Sequence, residues 1–242
     1  MIRPLARALA AAIALACAAP AARAAERYEL WPELDVYVPL GERTRLFAAV
    51  AATRAEESYS NGAATQYQDV TAGVHLDVTL IPILRRELSQ GDWQRGRYLW
   101  MRIGYRYGRS IGDTEQDGRF REKRGIFEIT GRTLPLFADL EFVGRLRWDA
   151  RDVDNQNSNR YRLRLQVERS LKLDGRAVVP FANAESFYDT RFDTWSRQRY
   201  QAGAEIEINR SWRVEPSLIR QNDSRSQPAR VNALGLALKC FY

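Results

Sequence analysis

The side chains in this sequence best suited to chemistry are arginines and acids that recur at even spacings. Arg102 and Arg106 share one phase, Arg124 and Glu128 the next, followed by Asp139, Glu141, Arg145, Arg147 and Asp149. Then come Arg160, Arg162, Arg164 and Glu168, then Glu185, then Arg199, Glu205 and Glu207, and last Arg213 and Glu215. Guanidinium and carboxylate groups form short, bidentate, charge-assisted bonds, so one use of such a set is mutual cross-bracing. The other use is a narrow passage for small ions or acidic solutes, in which rings of positive charge lower the barrier for anions. Both signs are mixed along the same stretches, which favours the first use.

Catalysis has less to build on. The chain has one histidine, His75, in phase with Asp69 and Asp77, and no serine occupies an evident nucleophile turn. We expect no catalytic residue and no enzymatic activity, the alternative being a lipase-type barrel with Ser and His at its lipid face. A lone histidine without spaced carboxylates or thiols builds no metal site. Nothing in the sequence calls for a cofactor.

The N-terminus points to export. Arg3 and Arg7 precede an apolar stretch at 8–18, and Ala22, Arg23 and Ala24 form a small-x-small cleavage site, the layout of a secretory signal peptide. Residues 1–24 are thus expected to be the signal and 25–242 one domain. Cys17 follows Ala14, Leu15 and Ala16, with the leucine one place too near for the usual lipobox. The leader holds three arginines and no acid, so its loss takes the net charge from +7 to +4 and leaves Cys240 as the sole thiol. No intramolecular disulfide can form. The basic residues are interleaved with acids and apolar residues, not clustered on one face as nucleic-acid binding requires.

Past the leader no apolar run approaches the roughly 18 residues of a spanning helix; the longest is 46–52. Strict alternation takes its place, the period of a strand with two unlike faces. In 69–80, Val70, Ala72, Val74, Leu76, Val78 and Leu80 oppose Asp69, Thr71, Gly73, His75, Asp77 and Thr79. In 138–150, Leu140, Phe142, Leu146 and Trp148 oppose the charged set, with Val143 the one exception. In 160–168 the residues Tyr161, Leu163, Leu165 and Val167 oppose three arginines, Gln166 and Glu168. Eleven such segments are predicted, near 28–38, 44–54, 67–80, 97–109, 120–132, 138–151, 159–170, 177–188, 197–208, 212–221 and 230–242. Short connections at 39–43, 133–137, 170–176 and 209–211 alternate with longer polar ones at 55–66, 110–119, 152–158, 189–196 and 222–229. That rhythm is the layout of an outer-membrane β-barrel. The long connection at 81–96 breaks it, and 83–88 within it reads as one helical turn.

A soluble calyx with an apolar lining would alternate in the same way. However, a closed sheet of this many strands is wider than the eight-strand size that side chains can fill, and Ala, Val and Leu could not fill it. Trp and Tyr also recur near the segment ends, at Tyr28, Trp31, Trp93, Tyr98, Trp148, Tyr161, Trp195, Tyr200 and Trp212, where interfacial girdles belong. The last segment carries Leu234, Leu236, Leu238, Cys240 and Tyr242 in one phase, the kind of terminal amphipathic strand that barrel-assembly machinery recognises. The polar face is therefore the lumen. The expected fold is an all-β, transmembrane antiparallel β-barrel of 10–12 strands. An even count is expected, with twelve first and ten as the fallback, because eleven would close with parallel edges.

The run 159–169, with its Arg162, Leu163 and Arg164, resembles the Arg-Leu-Arg strand of an uncharacterised outer-membrane family, domain of unknown function 2490. Pro180 with Glu185 and Phe187 resembles that family's Pro…Glu-x-Phe strand, Arg199 with Gly203 its Arg…Gly strand, and Leu30 with Trp31 its opening tryptophan. The resemblance implies the fold and carries no activity or catalytic residue, and the connection at 81–96 departs from the family's compact turns. The function expected is a structural barrel or a narrow passage in a Gram-negative outer membrane. The alternative is a lipid-active or surface-binding barrel working through its extracellular loops. Expected partners are outer-membrane lipids and, during biogenesis, the assembly machinery. Candidate lumen residues are Arg102, Arg106, Glu128, Glu141, Arg145, Arg147, Arg160, Arg162, Arg164, Glu168, Glu185, Arg199 and Glu205.

The assigned faces make a direct prediction. Val74→Arg puts a charge against lipid at mid-strand and should cost about 2–4 kcal/mol near the bilayer midplane, whereas Thr71→Arg points inward and should be tolerated better. Equal folding yields of the two variants in lipid bilayers would mean that the faces are reversed.

Overall fold

The computed structural model describes residues 26–59, 62–82, 97–111, 121–225 and 229–242. The expected signal peptide, Trp93 and the helical turn at 83–88 lie outside them. Within the described residues twelve strands form: β1 (Glu26–Pro39), β2 (Thr44–Tyr59), β3 (Gly62–Pro82), β4 (Arg97–Ser110), β5 (Arg121–Arg132), β6 (Leu140–Val153), β7 (Gln156–Arg169), β8 (Leu171–Leu173), β9 (Arg176–Asp189), β10 (Thr194–Glu207), β11 (Trp212–Asp223) and β12 (Arg230–Phe241). Among the described residues the only helical element is a single 3₁₀ turn at Phe137–Asp139.

Each long strand pairs antiparallel with the next along the chain. β8 is a three-residue ribbon on β9, and β9 itself continues the sheet from β7 to β10. The sheet then closes: β12 lies parallel to β1 over twelve unbroken residue pairs, from Glu26↔Arg230 to Tyr37↔Phe241. The barrel is thus eleven-stranded with β8 as an extra ribbon, matching the eleven segments but not the even count. The even count assumes antiparallel closure. What hydrocarbon demands is that no edge be left with unpaired N–H and C=O groups, and a parallel ladder satisfies both edges too.

Alternation sets the two faces as expected. Leu146, Leu165 and Leu218, each about 60% exposed, belong to an outward apolar band, while His75, Asp77, Asp149 and Glu185 are fully buried inside. Trp148, Tyr161, Trp195, Tyr200 and Trp212 face outward, and Tyr161, Tyr188 and Trp195 form a chain with ring centroids 6.3 and 5.7 Å apart. Trp31 departs from this girdle. It lines the lumen beneath the Arg199 guanidinium, 4.7 Å from its ring.

Two ends can be told apart. The near end carries the carboxyl terminus; at the far end, strands take up part of what was predicted as long loops. The segment 152–158 folds into β6 and β7 around Asp154 and Asn155, both at positive φ. This is the two-residue hairpin geometry that suits Asn and Asp, and Asp154 accepts a bond from the Arg121 backbone N–H at 2.8 Å. Likewise β2 and β3 extend to Tyr59 and from Gly62, absorbing most of 55–66.

The parallel seam is reinforced from inside. Phe241, Tyr37, Phe47 and His75 occupy directly opposed inward positions on β12, β1, β2 and β3. They stack in sequence, with centroids 4.8, 4.7 and 5.1 Å apart. Tyr37 stacks on a neighbour at either side of it, one of them across the seam, so Tyr37→Ala should cost about 3–5 kcal/mol, the range for truncating a buried aromatic. Tyr37→Phe keeps the ring but removes the hydroxyl that donates to buried Asp35 at 3.3 Å, so it should cost about 1–3 kcal/mol, and Tyr200→Ala, which is outward and half-exposed, should cost clearly less than Tyr37→Ala. Urea unfolding in detergent micelles measures all three; equal losses at Tyr37 and Tyr200 would remove the seam argument.

Candidate functional site

The lumen is organised around buried carboxylates, each shared by several guanidiniums. Asp77 on β3 receives Arg45 at 2.7 Å and Arg102 at 2.6 Å, with Arg97 at 3.7 Å. Glu185 on β9 receives Arg145 at 2.8 Å, Arg162 at 2.9 Å and Arg164 at 3.0 Å. Asp149 holds Arg147 at 2.5 Å and Arg162 at 3.8 Å, and Glu128 lies 3.6 Å from Arg145. Toward the far end Asp189 holds Arg151 and Arg160, both at 2.7 Å, and Glu122 holds Arg124 and Arg151. Toward the near end Arg132 spans Glu168 at 2.9 Å and Glu141 at 3.5 Å, while Glu205 takes Arg213 and Lys239 at 2.9 and 2.7 Å.

The expected residues therefore do face inward, but their pairing is not the simple one. Across β6 and β7 the directly opposed positions are alike in charge: Arg145 faces Arg164, Arg147 faces Arg162 and Glu141 faces Glu168. Like charges directly opposite destabilise a sheet. The acid that relieves the arginines stands one strand further on, where Glu185 is opposite both Arg164 on β7 and Arg199 on β10. Asp139 is the exception. The 3₁₀ turn carries it to the near rim, where its exposed carboxylate lies 3.6 Å from Arg169.

His75 is a packed ring. It is stacked on Phe47, accepts a bond from Arg106 Nε at 3.3 Å and leaves Nδ1 without a protein partner. It lies over Gly104, where a Cβ would come within 2.0 Å of Nδ1. Sequence reasoning passed over Asp77 as a hub, along with Arg45, Arg97, Arg132, Arg151, Asp189 and Lys239. Most sit at strand ends in the same alternating phase, so extending the phase outward would have found them.

Inside this charged wall is a cavity of about 460 Å³. Its lining includes fourteen Arg or Lys side chains and six Asp or Glu among the described residues. No group of His, Cys, Asp and Glu fit to hold a metal ion occurs among those residues. A second recess, about 410 Å³, opens on the outer wall at the far end. There the directly paired Gly125 and Ala150 leave the wall bare between Tyr105, Lys123, Asp152 and Asn159.

A closed sheet with an apolar exterior and a charged interior defines a transmembrane β-barrel. The chain belongs to the family described as "Protein of unknown function (DUF2490)", whose profile matches residues 83–232. No curated protein matches the sequence. Among solved structures the chain is similar to LpxR from Salmonella typhimurium, at 11% identity and a TM-score of 0.49, over 81% of this chain and 83% of that one. The expectation that this chain has no enzymatic activity is withdrawn, and at this TM-score the likeness to LpxR assigns it none.

Removing one partner of a buried ion pair strands the others without compensation. Asp77→Asn leaves Arg45, Arg97 and Arg102 around a neutral amide and should destabilise the barrel by about 3–5 kcal/mol. Asp139→Asn at the exposed rim should change stability little. Heat-induced mobility shifts on gels report both, and an unaltered Asp77→Asn barrel would show that the hub contributes nothing.

Proposed function

We propose that this protein is an outer-membrane β-barrel that binds, and acts on or through, membrane lipid at its far rim. In this reading the leader exports the chain, the near end lies in the periplasm and the far end faces outward. The observation that carries it is the recess beside Gly125 and Ala150. It lies on the membrane-facing wall, near the Trp148, Tyr161 and Trp195 aromatics that suit the interface. Its floor carries nothing larger than the Ala150 methyl group beside Gly125, its edge carries Tyr105, Asn159 and Thr190, and the Lys123 ammonium, 3.7 Å from Asp152, stays largely exposed. An acyl chain against the floor and an anionic headgroup at Lys123 would satisfy both parts. Leu234, Leu236 and Leu238 on the outer face of β12, together with the exposed Tyr242 that ends the chain, are read as the signal for the assembly machinery.

A second reading is a narrow passage, favoured by the central cavity and its excess of arginine, which would select anions. Two measurements on one preparation divide the readings. Native mass spectrometry from mixed zwitterionic and anionic lipid should retain anionic lipid, with less retained by Lys123→Glu and no change in Lys172→Glu at the near end. Planar bilayers should show little or no conductance. Steady anion-selective current with no lipid retention would replace the lipid reading with the passage.

A further inference from the structure

We propose that the lumen contains a binding site for a phosphate-class dianion, formed by Arg145, Arg147, Arg162, Arg164 and Arg199. This inference does not rest on the lipid reading, which concerns the outer wall. These five guanidiniums come from three strands and all line the central cavity. The carboxylates that neutralise them are three: Glu128, Asp149 and Glu185. Two positive charges remain uncompensated, in a wall backed by lipid, where unpaired charge is costly.

The surplus has a definite location. Arg199 stands opposite Glu185 in the ladder but donates instead to Gln221, through Nε at 3.1 Å and Nη2 at 2.6 Å. No carboxylate lies within ion-pair distance of it among the described residues. Trp31 and Phe187 hold its guanidinium at 4.7 and 5.3 Å from their ring centres, fixing it against the cavity. Three of the other arginines that line the cavity have an N–H with no protein acceptor: Arg147 Nη2, Arg145 Nε and Arg164 Nε. Arg147 itself is only 7% exposed. Guanidiniums that line one cavity beside a net charge of two, one of them fixed between aromatic rings, are what a tetrahedral dianion requires, since guanidiniums bind phosphate oxygens in bidentate fashion. A monovalent anion would leave one charge unmet, and a neutral sugar would leave both.

The test is equilibrium binding of inorganic phosphate and pyrophosphate to the detergent-purified barrel by calorimetry, with chloride at matched ionic strength as reference. Saturable binding is expected. Arg199→Gln should weaken it about tenfold, the loss of one charge-assisted bond, without stranding an acid. Glu185→Gln should tighten binding, because it raises the surplus. If Glu185→Gln does not fold, Arg164→Gln serves as a second weakening variant. The site is overturned if the wild-type barrel shows no saturation above the chloride reference, or if Arg199→Gln binds as the wild type does. Phosphatidic acid in nanodiscs separates the sources. Competition with pyrophosphate supports the site and assigns it to a lipid headgroup, and absence of competition supports it and assigns a soluble anion. Because neither arm reads lipid at Lys123, failure of this site and failure of the lipid reading are independent results.

Discussion

Hydrocarbon offers no partner to a peptide N–H or to a guanidinium, so a chain placed in it must satisfy both from within. The rest of this structure follows from that requirement. The backbone meets it by closing the sheet, and the charged side chains meet it by turning to the side away from lipid. Closure with eleven strands makes one junction parallel, and the parallel ladder between β1 and β12 runs without a break. Such a junction brings the first and last strands of the chain together, contacts distant in sequence that carry a large entropic cost. The stack of Phe241, Tyr37, Phe47 and His75 spans this junction and adds direct side-chain attachment where the ladder alone would hold it.

The lumen solves a harder problem. Charges removed from water cost more than simple pairing returns unless the geometry is good and each carboxylate is shared. Here a single acid serves several arginines, as Asp77 and Glu185 do. The arginines also lie over aromatic faces: Arg45 over Tyr37, Arg102 over Phe47 and Arg162 over Phe187. Because these charges lie along the wall, a cavity remains between them, with positive charge in excess. A structural brace and a receptive site are then made from the same residues, and the chemistry of one does not exclude the other.

The outer wall and the lumen offer different ligands different environments. The recess beside Gly125 and Ala150 joins an apolar floor to a polar edge, which suits an amphipathic molecule lying in the membrane. The central cavity is ringed by fixed donors and suits a small, highly charged one. Membership of the DUF2490 family covers β4 to the start of β12, so both environments lie mainly within the shared part of the chain.

Much of this was legible in the residues. Period-two alternation identified eleven strands, told the lumen from the lipid face and named most of the inward arginines and acids, because a strand's side-chain direction is a local property. The turn at Asp154 and Asn155 was legible in principle, since the dipeptide favours positive φ, but its polar flanks read as loop. The polarity of the closing junction was not legible. It depends on which edges meet once all strands are in place, and no local pattern encodes that. Nor could alternation show that Arg145 bonds an acid two strands away, that Asp139 leaves the lumen, or that Trp31 lies beneath Arg199. Those outcomes depend on register, which is decided between strands. The sequence by itself determined which groups must face inward; only the tertiary structure decided which of them meet.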